Sequence, residues 1–84
     1  MNIPPSVKIG AHTYKVVWRE MDICGQIDRE KMEICVNPQH AKSVQESTFF
    51  HEVLHGINNE LDHELLDSLA EQLYLFLTEN DLLK

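Results

Sequence analysis

Residues Ser43 to Ile57 read Ser-Val-Gln-Glu-Ser-Thr-Phe-Phe-His-Glu-Val-Leu-His-Gly-Ile, and the reading of the whole chain turns on this stretch. Ser43-Val44-Gln45-Glu46 has the form of a capping box, in which the Ser43 hydroxyl accepts from the Glu46 amide while the Glu46 side chain reaches back. A helix is expected to start there. Phe50, Val53, Leu54, Ile57 and Leu61 recur at three- and four-residue spacing and form the stripe expected to face a sheet. Asn58-Asn59 can close this helix and Asp62 can cap another, so a turn is expected near residues 59 to 62. Leu66, Leu69, Leu73 and Phe76 then mark one face of a second helix that should end about Glu79 or Asn80. Leu75, Leu77, Leu82 and Leu83 are surplus to that face, and predict an exposed apolar patch that supports self-association or a partner.

Upstream the periodicity changes from helical to alternating. Val7 and Ile9 share one side of a short strand, and Tyr14, Val16 and Trp18 share one side of the next, with Gly10-Ala11-His12 as the turn. A second hairpin is expected from Ile23 to Ile27 and Met32 to Val36 around Asp28-Arg29-Glu30-Lys31, ended by Asn37-Pro38. A symmetric turn sets Cys24 opposite Cys35, where two small side chains pack on one sheet face. The expected fold is α+β: a small N-terminal sheet of two hairpin-like segments packed against two C-terminal helices.

At 84 residues the chain has room for a single domain, 1–84, with a thin core. It is 43% hydrophobic and 25% charged, and no run approaches the roughly 18 apolar residues of a membrane span. Met1 to Pro5 lacks the basic cluster and apolar core of a secretory signal, so a cytoplasmic location is expected. A net charge of -7, with the seven basic residues scattered, argues against nucleic acid as a partner. Two cysteines in a reducing compartment are expected to be free thiols.

Within the first helix, His51 and His55 are four residues apart, so one turn stacks two imidazoles on the same face at a distance that one zinc ion can bridge. Glu52 falls on the neighbouring flank, where it can act as a base without ligating the metal. Shuffling this composition yields HExxH in roughly 3% of chains, so the bare spacing is only suggestive. Its setting adds weight: the motif lies mid-helix with apolar residues at both x positions, between Phe49-Phe50 and Ile57. Two histidines do not hold zinc tightly, and a third ligand is expected from the second helix. Glu64, Asp67 and Glu71 share a face of that helix, and antiparallel pairing of the helices favours Asp67 on height. His12 and His40 read as solvated loop histidines, and Tyr74 as a packing residue.

The helix Thr48-Phe49-Phe50-His51-Glu52-Val53-Leu54-His55-Gly56-Ile57, the two hairpin-like segments before it and the stretch Glu64-Leu65-Leu66-Asp67-Ser68-Leu69-Ala70 after it cover nearly the whole chain. Together they resemble the short zincin-like proteins encoded by phages and prophages, similar to the minimal zinc-peptidase core of ImmA/IrrE-type and related gluzincin-like proteins. The resemblance implies zinc as the cofactor, Glu64 as the third ligand beside His51 and His55, and an acid one turn later, here Asp67, that supports a ligand histidine. His63 is an alternative third ligand.

Two functions follow as expectations. In the first, the chain is a zinc-dependent metallopeptidase in which an extended peptide lies along an edge strand, Met32 to Val36, and Glu52 is the general base. In the second, it is a catalytically silent zinc-binding phage protein that acts by binding a host protein.

Overall fold

The computed structural model describes residues 2–83. Strands β1 (Ser6–Ile9) and β2 (His12–Trp18) form an antiparallel hairpin in which Ile9 pairs with His12. Gly10 closes it with φ of 62°, a left-handed conformation that favours glycine. Strands β3 (Gly25–Asp28) and β4 (Glu33–Val36) form the second antiparallel pair, and β4 then aligns parallel to β2, giving the order β1-β2-β4-β3. Ile34, Cys35 and Val36 are each fully buried. This unbroken apolar run suits a central strand covered on both faces, whereas a strand with one wet face alternates. The edge expected for Met32 to Val36 therefore belongs to β3 instead.

The connection that carries the chain past the end of β4 is clasped by Asn37, which is 2% exposed. Its Nδ2 donates to the carbonyls of Met21 at 2.7 Å and Ile23 at 3.2 Å, and its backbone N–H donates to the Cys24 carbonyl at 2.9 Å. Cys24 does not face Cys35, because the pairs run from Gly25 with Val36 to Asp28 with Glu33, leaving Gln26 opposite Cys35. The turn is displaced by one residue: the Asp28 carboxylate accepts from the amides of Glu30 and Lys31, each at 3.0 Å, and Met32 takes a left-handed φ of 54°. Both thiols are free, Cys24 exposed and Cys35 buried.

Helix α1 (Lys42–Ile57) lies across the sheet and helix α2 (His63–Glu79) packs on α1. The core of Tyr14, Ile34, Val36 and Phe49, flanked by Val7, Ile9, Val16, Ile27 and Val53, fills the space between sheet and α1. The helix is rotated from the expected stripe: Phe49 is buried and Ile57 is 65% exposed, while Phe50 sits 6.1 Å from the Tyr74 ring on α2. The cap also differs. Ala41 holds the N-cap position without a side-chain bond, and Glu46 is buried instead, accepting from the Tyr74 hydroxyl at 2.9 Å. Asp62 caps α2 as expected, its carboxylate accepting from the Leu65 amide, and α2 ends at Glu79.

Two glycines let α1 approach the sheet at either end of the histidine motif. A Cβ at Gly56 would lie 2.8 Å from Ile9 Cδ1 and 2.9 Å from Ile27 Cδ1; one at Gly25 would lie 2.6 Å from both the Cys35 carbonyl oxygen and Thr48 Cγ2. The close fit fixes the height of the motif above β3. No helix among the described residues is long and apolar enough to cross a membrane.

Candidate metal centre

The helical repeat brings His51, Glu52 and His55 together as the spacing requires. One ligand atom from each lies within 4.8 Å of the others, and the imidazole ring centres of His51 and His55 are 6.1 Å apart. The group sits on α1, beside the cleft that separates α2 from the edge strand β3. Glu52 is 5% exposed and points into this junction. Burial, with the Asp67 carboxylate as a lesser cause, raises its pKa to about 7. A carboxyl group poised there can both take and return a proton at neutral pH.

The two histidines are held differently. Asp67, on α2, places Oδ1 2.9 Å from His51 Nδ1, which fixes the ring and leaves Nε2 as the free donor atom. This is the supporting contact that the resemblance implies for Asp67. His55 Nδ1 lies 3.8 Å from Glu52 Oε1. Its pKa is lowered, first by desolvation and then by His63, His51 and Arg29, which favours the neutral imidazole that a metal needs. Arg29, from the β3–β4 turn, anchors the end of α1 by donating to the His55 carbonyl at 2.6 Å and the Gly56 carbonyl at 3.4 Å.

Glu64, the second residue of α2, is exposed. Its neighbour His63 is also exposed, but its ring centre lies 5.4 Å from that of His55 and 6.2 Å from that of His51. Glu71 lines the open cleft beside the site without entering the His51, Glu52 and His55 group. That cleft, about 590 Å³, runs between Gly25 on β3 and Tyr74 on α2, with His51, Glu52 and Asp67 in its wall. A second depression beyond His55 is lined by Gln26, Ile27, Asp28, Arg29 and Asn59, so hollows flank the motif at both ends of β3. His12 and His40 lie outside the group.

No family model, curated protein or solved structure matches the chain. The site must therefore be read from its own chemistry. Two nitrogen donors and a buried carboxylate fit a zinc ion, because imidazole suits zinc and the acid is available as a base. Arg29 and the Tyr74–Glu46 bond were not foreseen from the sequence. Tyr74 was expected only to pack, and an Arg in a turn carries no sequence mark of the carbonyls it will cap.

Proposed function

We propose that the protein is a zinc-dependent metallopeptidase of the short zincin-like type, acting in the cytoplasm on a peptide or protein. The observation that carries this reading is the buried Glu52 carboxylate set between two converging imidazoles. A structural metal site has no use for a buried acid outside its ligand set at that point, and burying it opposes folding whenever it ionises. His51 and His55 would hold the ion, with a third ligand from the first turn of α2, where the resemblance implies Glu64. Bound zinc supplies Lewis acidity for the carbonyl of the scissile bond and acidifies water at neutral pH.

The chain's own residues do the rest. An extended peptide adds to the free edge of β3, its backbone groups pairing with those of Gly25–Asp28 and its side chains entering the hollows on either side. Glu52 takes the proton of the attacking water and returns it to the leaving amine. Asp67 keeps His51 in one tautomer, and Arg29 holds the turn carrying His55 against β3.

Glu52→Gln tests the reading directly. It should retain zinc and abolish cleavage of a fluorogenic peptide library, whereas a folded wild-type protein that binds no zinc, or an active Gln variant, would overturn it. The partner-binding alternative draws on a different observation, the exposed Leu65, Leu69 and Phe76 of α2. It expects host-protein binding that survives Glu52→Gln.

A further inference from the structure

The first turn of α2 presents two adjacent candidates for the third ligand, and helix geometry separates them. Successive residues are about 100° apart around the axis, so His63 projects between Leu66 and Asp67, while Glu64 projects beyond Asp67. Leu66 is fully buried and Asp67 touches His51. The side of α2 between them is therefore the side turned toward the motif, and His63 is on it. His63 and Glu64 are both exposed, but Glu64 lies about 100° further round the axis, beyond Asp67 and away from that side.

Ring positions agree. Zinc–nitrogen bonds of about 2.0 Å at tetrahedral angles set the centres of two ligating imidazoles about 5 Å apart. The three rings stand 5.4 Å (His55 and His63), 6.1 Å (His51 and His55) and 6.2 Å (His51 and His63) from one another. They form a nearly equilateral triangle slightly wider than a closed site. His63 stands just outside the converging group of His51, Glu52 and His55, and being exposed it can close the triangle by turning inward.

We infer that His63, rather than Glu64, is the third metal ligand, making a three-imidazole site of His51, His55 and His63. The inference rests on the metal-binding reading above and changes its chemistry. With three neutral donors the ion keeps its full double charge, and Glu52 and Asp67 become the acids that balance it from outside the ligand set. An all-nitrogen site should also take up cobalt and zinc while discriminating strongly against magnesium, calcium and manganese, which prefer oxygen.

Zinc affinity by competition with a chromophoric chelator, together with the visible absorption of the cobalt-loaded protein, tests the assignment without any activity assay. His63→Ala should lower zinc affinity more than about 100-fold, beyond the usual loss for a residue outside the ligand set, and should erase the four-coordinate cobalt bands. Added imidazole should restore them. Glu64→Ala should shift affinity by less than a few-fold. Since both side chains are exposed, circular dichroism should show both variants folded. Unchanged zinc affinity and cobalt spectrum in His63→Ala would overturn the inference and leave the metal site standing, as would loss confined to Glu64→Ala. A wild-type protein that takes up neither ion overturns both.

Discussion

Glu52 and His55 are adjacent in space and respond to burial in opposite directions. In the metal-free protein the Glu52 pKa is raised to about 7, so the folded chain holds this proton more tightly than the unfolded chain does. Its contribution to stability is complete below the ordinary value near 4.5 and is lost as pH rises to about 7. His55, with a lowered pKa, contributes stability above about 6.5 that is lost as pH falls through its lower folded value. The two slopes oppose each other, and Glu52→Gln isolates one of them. In chelator, the stability gained by the Gln variant over wild type should grow from pH 5 to pH 7.5 in urea titrations; a constant difference would show that Glu52 ionises normally. The histidine pair and its glutamate were legible in the sequence because i, i+4 spacing is a property of the helix alone. Asp67's contact with His51 was anticipated from the resemblance, while the phase of His63 on α2 needed the packing of the two helices.

Among elements, α2 departs furthest from its pattern. Leu66 is fully buried and Ala70 nearly so, while Leu69 is 45% and Phe76 57% exposed. The inward line runs along the buried Leu66 and Ala70 and the half-buried Tyr74, four residues apart, rather than along the leucines. Hydrophobicity misled here because two of its inward positions hold the small Ala70 and the hydroxyl-bearing Tyr74. On α1 the same thing happened: Glu46, Thr48 and Glu52 occupy buried positions that a search for apolar residues passes over. The existence, order and approximate ends of both helices were nonetheless readable, as was the Asp62 cap. The β3–β4 register was not, since the shift of the four-residue turn by one position is decided by Asp28 and Met32. A direct contrast follows. Leu66→Ala should lower stability by about 2–5 kcal/mol, as cavity-forming substitutions do, while Phe76→Ala should cost well under half as much; equal losses in thermal or urea unfolding would mean that the exposed face of α2 is covered in solution.

At the scale of the whole molecule, a thin core and an uneven charge distribution meet at the candidate metal site. Seven of the fourteen acidic residues lie after Ile57, where Lys84 is the only basic residue. Two of these acids, Asp67 and Glu71 on the second helix, line the same cleft as His51 and Glu52 and would attract a cation to it. Because zinc would bind the folded chain and bridge its two helices, removing it with chelator should lower the melting temperature, and the effect should weaken below about pH 6.5 as histidines protonate and compete. Equal melting curves with chelator and with added zinc would place the site outside the forces that hold the fold together. The α+β arrangement was readable from the change of periodicity between the two halves. The strand order was not: β2 and β4 come together only through long-range pairing, for which Ile34-Cys35-Val36 was the sole trace.

That parallel ladder also sets an order of events. Each hairpin closes over a turn of a few residues and can form locally, but β4 cannot lie beside β2 until the chain between them has passed its end and Asn37 has clasped it. Joining the hairpins carries the loop-closure entropy, and is expected to come late in folding. Asn37→Ala should therefore act mainly on the unfolding limb of a chevron plot, with a φ-value near zero, while a substitution within the β1–β2 turn should slow refolding. A φ-value near one at Asn37 would instead place the crossing in the nucleus, and make the clasp the first tertiary feature the chain acquires.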